Sequence, residues 1–216
     1  MKKICLIIPS LRHGGAERVM SELANYWSAD SNLEVTLLLL TKQKQFYSID
    51  QNVTVIEPQK KYKKNLISIA LYRIWVFFYI RKECKKLNPD AVLSFCAVYN
   101  NLVLLALLFL PFKKYVSDRS NPYLNIGFFN DWLRNLLYHK ADGIIAQTSI
   151  AKDVLLKNTG NRNIVVIPNP LRQITKYQKE EKDNVLLNIG RLEPLKNQLE
   201  LIDIFHQCNK IGRAHV

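Results

Sequence analysis

Short apolar runs alternate along this chain with longer segments whose apolar residues recur at helical spacing. The runs at Lys3–Ile8, Val35–Leu40, Val53–Ile56, Ala91–Phe95, Lys114–Ser117, Gly143–Gln147, Ile164–Ile167 and Val185–Ile189 predict strands. The 3.6-residue period predicts helices over Ala16–Ser28, Asn65–Leu87, Tyr99–Leu110, Ile126–His139 and Ile150–Lys157, with another opening at Leu199. Strands that alternate with helices imply an α/β fold whose parallel sheet is covered on both faces. In such sheets ligands lie beyond the carboxyl ends of the strands. The loops after Ile8, Ser117, Gln147, Ile167 and Ile189 are therefore where chemistry is expected.

The pattern also divides the chain. After Pro168-Asn169-Pro170 the periodicity stops, and residues 171–184 are polar and rich in lysine and glutamate, as in an interdomain linker. Residues 1–170 form one expected domain, and residues 185–210 supply the first strand and helix of a second. Residues 211–216 break the helical pattern and correspond to one reading frame of a common sequencing adapter, so a non-native tail on a truncated chain is expected there. One strand and one helix cannot close a core. The expectation is that this chain is inactive by itself and folds poorly beyond residue 184.

Composition narrows the classes. Hydrophobic residues make up 48% of the 216, enough for a packed core. The formal net charge of +13 favours anionic partners: a membrane surface or phosphorylated substrates. Basic residues are not interleaved with stacking aromatics in any known module, so nucleic acid is not expected as a partner. Cys5, Cys84, Cys96 and Cys208 are scattered, which fits free thiols in a reducing, cytoplasmic compartment. The start, Met1 to Ile8, is too short an apolar run for a signal peptide, and Leu66–Ile80 and Leu102–Phe112 do not make membrane spans. Between Lys60 and Lys86, however, lysines and an arginine flank Leu66, Ile67, Ile69, Leu71, Ile74, Trp75, Phe77 and Phe78. That arrangement suits either a helix packed on the sheet with solvated ends or an amphipathic helix lying on the anionic inner face of the plasma membrane.

Four stretches carry candidate chemistry. Gly14 and Gly15, between the first strand and helix, permit a tight turn and close approach of a phosphate or acceptor. The spacing is neither a dinucleotide fingerprint nor a P-loop, which disfavours NAD enzymes, ATPases and a nucleotide-sugar epimerase. Asp118, Arg119, Ser120 and Asn121 follow a strand end; Asp118 is the candidate acid/base group and the other three are candidate acceptor contacts. Thr148 and Ser149 read as a helix cap. Last, Gly190, Arg191 and Lys196 stand where a strand meets a helix, so that amides, helix dipole and two cations can converge on a diphosphate. His13, His139, His206 and His215 have no metal-ligand spacing, and no cofactor or metal is expected.

In this order, Gly14-Gly15-Ala16-Glu17-Arg18, the Ser117–Pro122 loop, Ile167-Pro168-Asn169-Pro170 and Gly190-Arg191-Leu192 with Lys196 resemble the retaining glycosyltransferases of family 4, over residues 2 to about 209. The resemblance implies the GT-B architecture, two Rossmann-like domains facing across a cleft, with the acceptor mainly on the first and the donor on the second. It implies transfer of a sugar from a nucleotide-sugar, such as a UDP-sugar, to a polyprenyl-linked or polysaccharide acceptor in bacterial surface glycan synthesis. Arg191 and Lys196 match the pair that neutralises the donor diphosphate, and Gly14 and Gly15 the loop facing it. Asp118 lies near where many relatives carry a histidine, a departure at that position. Glu193 and Glu200 do not match the family's downstream glutamate pair. The alternative is a non-catalytic glycan- or membrane-binding domain of the same fold.

Overall fold

A computed structural model describes residues 1–59, 65–119, 121–170, 185–190, 192 and 194–211. The chain divides into two compact units, Met1–Leu171 and Arg172–Val216.

The first unit is built on a seven-stranded parallel sheet. Its strands are β1 (Lys2–Ile8), β2 (Leu33–Leu39), β3 (Thr54–Ile56), β4 (Ala91–Phe95), β5 (Lys113–Ser117), β6 (Gly143–Ala146) and β7 (Ile164–Val166), in the order β3-β2-β1-β4-β5-β6-β7. The helices between them are α1 (Gly15–Ser28), α2 (Leu66–Leu87), α3 (Ala97–Ala106), α4 (Phe128–Tyr138) and α5 (Ser149–Thr159). The strand order reverses between β1 and β4, which pair directly, with Leu6 opposite Leu93. That reversal opens a crevice at their carboxyl ends.

Alternating side chains on the central strands go to opposite cores, as the period of two requires. Leu6, Ile8, Leu37 and Leu39 join Val19, Met20 and Ala24 of α1. Cys5, Ile7, Leu38 and Leu40 join Tyr72, Val76, Ile80 and Cys84 of α2 and Val103 of α3. A third cluster continues the α2 side, packing Leu104, Leu137, Tyr138, Ala151 and Leu155 onto Val116, Ile144 and Ile164. Being apolar on both faces, the central strands read as unbroken runs, which is why the sequence locates them to within a residue or two.

Local signals set the helix ends. Asn65 caps α2 by accepting from the Ser68 amide at 2.7 Å. Thr148 caps α5 by accepting from the Ala151 amide at 3.1 Å, as expected of it, and α5 ends at left-handed Gly160. The main displacement is α3. It begins at Ala97 rather than Tyr99, because Cys96 turns sharply with φ 80 and its carbonyl accepts from the Tyr99 and Asn100 amides.

Both edge strands are three residues long and both are followed, one residue later, by proline: Pro58 after β3 and Pro168 after β7.

In the second unit, the helix expected after Leu199 is present as α6 (Gln198–Ile211), preceded by a 3-10 turn at Pro194–Lys196. Residues 185–189, expected as a strand, form none, and Val185, Leu186, Leu187 and Ile189 are exposed. A strand needs a neighbour to take its backbone hydrogen bonds, and no strand stands beside it among the described residues of this unit. The expected linker 171–184 lies outside the described residues, as does the expected tail 211–216 apart from Ile211, which continues α6 as its last residue rather than breaking it.

Candidate functional site

At the crevice between β1 and β4, the loop after β1 turns into α1 at Gly14. The Tyr47 hydroxyl, from the loop after β2, donates to the Gly14 carbonyl at 2.9 Å and accepts from its amide at 3.3 Å. The Glu17 side chain folds back over the same turn, where a Cβ on Gly14 would collide with its carboxylate. Gly15 is different: a Cβ there would meet nothing within 4 Å. The start of α1 is thus open on the Cβ side of Gly15, with Glu17 as the local negative charge on the helix dipole.

Next to this turn, Cys96 links the loops electrostatically. Burial raises its thiol to about 12, with Glu17 and Asp118 adding to the shift and Arg119 opposing it. Glu17, Cys96, Asp118 and Arg119 therefore belong to one neighbourhood, although they are spread over about a hundred positions of sequence.

Asp118 is the end of a buried polar network. Asn100 on α3 donates to the Ser117 carbonyl, to Asp118 Oδ1 and to the Tyr138 hydroxyl at 2.9–3.1 Å, and it accepts from Ser94 Oγ at 2.8 Å. Tyr138 also donates to Asp118 Oδ1. Burial raises the Asp118 carboxyl above its usual range, and Tyr138, Arg134 and Asn100 partly offset this. Burial also holds the Tyr138 hydroxyl well above its ordinary value. Asp118 is thus as much an anchored residue as a free acid/base group.

Arg119 stacks over the Phe95 ring, 4.2 Å from its centroid, and donates to Asn169 Oδ1 at 2.6 Å. Burial lowers the guanidinium to about 10, leaving it charged at neutral pH. Gln147, after β6, donates to the same Asn169 oxygen at 2.9 Å. Arg18 on α1 donates to the Pro170 carbonyl at 3.3 Å and pairs with Glu22. The Pro168-Asn169-Pro170 segment is therefore tied to the loops after β5 and β6 and to α1.

A cavity of about 300 Å³ opens beside Asp118 and Arg119 and is also lined by Asn121, Arg134, Gln147 and Thr148. Asn121 makes an Asx turn with the Tyr123 amide at 3.0 Å. Arg134 on α4, only 8% exposed, pairs with Asp131 at 3.0 Å.

The structure thus gathers Gly14, Gly15, Asp118, Arg119 and Asn121 on the carboxyl edge of one sheet. Ser120 and Arg191 lie outside the described residues. Gly190 and Lys196 belong to the second unit and are exposed. Sequence reasoning missed Tyr47, Asn100, Arg134, Tyr138 and Gln147. Arg134 did leave a signal: it falls on the same helical stripe as Leu137 and Tyr138, where an unpaired charge would be costly.

On α2, Ile67, Leu71, Ile74 and Phe78 are all exposed and form a single stripe. Arg81 is not a surface cation, since it donates to the carbonyls of Ala106 and Leu108 at the end of α3. Lys82, Lys85 and Lys86 are exposed, while Lys60, Lys61, Lys63 and Lys64 lie outside the described residues. No helix among the described residues is long and apolar enough to cross a membrane.

Residues 13–172 match the sequence profile described as Glycosyltransferase Family 4. Among curated proteins, the chain is 27% identical over 214 residues to the Campylobacter jejuni enzyme named GalNAc-alpha-(1->4)-GalNAc-alpha-(1->3)-diNAcBac-PP-undecaprenol alpha-1,4-N-acetyl-D-galactosaminyltransferase, a match covering 97% of this chain and 58% of that protein. It is 25% identical to the amylovoran biosynthesis glycosyltransferase AmsD of Erwinia amylovora, covering 98% of this chain and 60% of the relative. The chain therefore spans a little under two thirds of the length of these relatives. Among solved structures it resembles the apo lipopolysaccharide outer core galactosyltransferase WaaB, with TM-score 0.59, 16% identity and coverage of 81% of this chain and 47% of that one. A UDP-N-acetylglucosamine 2-epimerase also resembles it, with TM-score 0.53, 16% identity and coverage of 78% and 48%. At such identities the likeness concerns the fold, and the fold does not choose between transfer and epimerisation.

Proposed function

We propose, from the premise that the chain belongs to glycosyltransferase family 4, that its whole protein moves a sugar from a nucleotide-sugar, a UDP-sugar in this reading, to a lipid-linked or polysaccharide glycan with retained anomeric configuration. The observation that carries the reading is the family match over residues 13–172, which takes in Gly14, Gly15 and the Asp118–Asn121 loop. The acceptor class is supported by the relatives, one named for a diphospho-undecaprenol glycan and one for amylovoran biosynthesis.

In this reading Gly190, Arg191 and Lys196 hold the donor diphosphate and stabilise the charge that develops as the nucleoside diphosphate leaves. Gly14 and Gly15 approach the phosphate and the acceptor, Gly15 offering the open space and Gly14 a fixed turn. Arg119, Ser120 and Asn121 contact the acceptor, and Asp118, tied to Tyr138 and Asn100, positions that loop. The reaction is assigned to side-chain and backbone charges without a metal or other cofactor. The test is sugar transfer by the complete gene product onto a polyprenyl-diphosphate glycan. Arg191→Ala combined with Lys196→Ala should lower kcat/KM by at least a hundredfold, and unchanged activity would sink the phosphate assignment.

The exposed α2 stripe favours a peripheral place on the cytoplasmic face of an anionic membrane. Ile67, Leu71, Ile74 and Phe78 supply the apolar face, with Lys82, Lys85 and Lys86 near its end. Sedimentation with phosphatidylglycerol vesicles should be lost on Ile74→Glu plus Phe78→Glu. Equal binding by the variant would remove α2 from this role.

A further inference from the structure

The charged lining of the cavity beside Asp118 is two guanidiniums, Arg119 and Arg134, and the single carboxyl of Asp118. Arg134 is buried, its Nη2 pairs with Asp131, and its Nε has no hydrogen-bond partner among the described residues. Arg119 donates only to a neutral acceptor, Asn169 Oδ1; its Nε is likewise buried without a partner, and no carboxylate pairs with it among the described residues. A half-buried guanidinium with no carboxylate paired to it is desolvated without an ion pair to compensate.

The acids nearby do not correct this. Asp131 is taken by Arg134 and by the Ile126 amide. Asp118, which lines the same cavity, is held by Tyr138 and Asn100, and burial raises its carboxyl above the usual range. Asp153 lines an adjoining cavity rather than this one.

The remaining lining sets the polar side chains of Gln147 and Thr148 beside apolar Ala151, Val154 and Leu155. Thr148 Oγ1 accepts from the Ala151 amide, which leaves its hydroxyl able to donate, and it stands at the N-terminus of the eleven-residue helix α5. At about 300 Å³ the cavity is at the small end of the range for ligand pockets.

We infer that this cavity binds a phosphate or diphosphate group, gripped by Arg119 and Arg134 and received by Thr148 and the start of α5. Two guanidinium forks, a hydroxyl and a helix N-terminus suit a tetrahedral, multiply charged oxyanion better than a single carboxylate. Resting on the transferase reading above, the group is the diphosphate of the lipid-linked acceptor, which would be fixed on the first domain independently of the donor. The other source of the same chemistry is the diphosphate of the nucleotide.

The test uses the 216-residue chain carrying Arg191→Ala and Lys196→Ala, which removes the assigned donor cations. Inorganic pyrophosphate binding is measured by calorimetry, and competition is run with a short-chain polyprenyl-diphosphate glycan and with UDP. Pyrophosphate should bind, the lipid diphosphate should displace it and UDP should not. Arg119→Gln and Arg134→Gln should each weaken binding at least tenfold. Arg119→Gln, at the more exposed site, should keep the parent near-UV circular dichroism, so that its loss of affinity is not a loss of fold. Unaltered affinity in both variants, or no pyrophosphate binding at all, overturns the cavity assignment. Displacement by UDP and not by the lipid would keep the phosphate site and overturn its acceptor role.

Discussion

Two glycines in this chain follow an apolar run and precede a helix, Gly14 immediately before α1 and Gly190 ahead of the Pro194–Lys196 turn that leads into α6, and they are in very different states. Gly14 is clamped by the Tyr47 hydroxyl through both its carbonyl and its amide, and it follows β1 in the middle of the sheet. Gly190 follows an apolar run that forms no strand, and a Cβ added to it would meet only the side chains of Gln198, Asn188 and Lys196, at 3.5–3.9 Å. The same local composition yields a fixed site in one place and an exposed turn in the other. The difference is supplied by what lies beneath: neighbouring strands that take the backbone hydrogen bonds and helices that cover the apolar faces.

Substitutions can break this contrast, beginning with the largest effect. Asn100→Leu removes the hub joining Ser94, Ser117, Asp118 and Tyr138, and should destabilise the first unit by about 3 kcal/mol or more in urea denaturation. Asn188→Leu, an equivalent change beside Gly190, should stay within about 0.5 kcal/mol. If both cost the same, the two turns are equally supported and the comparison fails.

Tyr47→Phe leaves the Gly14 amide without its partner and its carbonyl with the Arg18 amide alone, and should cost about 1–2 kcal/mol in the same experiment.

A smaller effect concerns pH. The folded Asp118 carboxyl titrates above its unfolded value because of burial. Its contribution to stability is therefore fully present below the unfolded value, about 3.9, and is lost as pH rises through the folded one. Asp118→Asn should remove that fall, so the denaturation midpoints of variant and parent should diverge as pH increases through this window and run parallel above it. Parallel curves throughout would mean that the network stabilises the carboxylate fully.

The smallest change is expected for Gly190→Ala. A Cβ there meets only ordinary van der Waals contacts, so the thermal midpoint should move by less than the equivalent of about 0.5 kcal/mol. A larger shift would reveal support for the second turn beyond the neighbours it shows.

Most of the sheet was legible because its central strands are apolar on both faces; β4 was predicted at its observed bounds, Ala91–Phe95. Caps were legible where a side chain acts on its own neighbours, as Thr148 does. What the sequence hid depends on long-range partners. Tyr47 lies in a loop without periodicity, and only the folded chain brings it to Gly14, 33 residues away. Asn100 looked like any polar residue on a helix until the packing of α3 and α4 turned it towards Asp118. The failure at 185–189 has the converse cause, since an apolar run declares the capacity to form a strand, while the strand itself is made by its neighbour.

The two edge strands carry a consequence for the molecule in solution. A parallel sheet exposes unpaired backbone groups at both margins and could in principle keep adding strands from other copies. Here each margin offers only three residues, Thr54–Ile56 on one side and Ile164–Val166 on the other, and each then meets a proline that has no amide to donate. Growth is stopped at both ends by the same device, so this sheet has a set width and its apolar centre can be assembled without recruiting other copies at its margins.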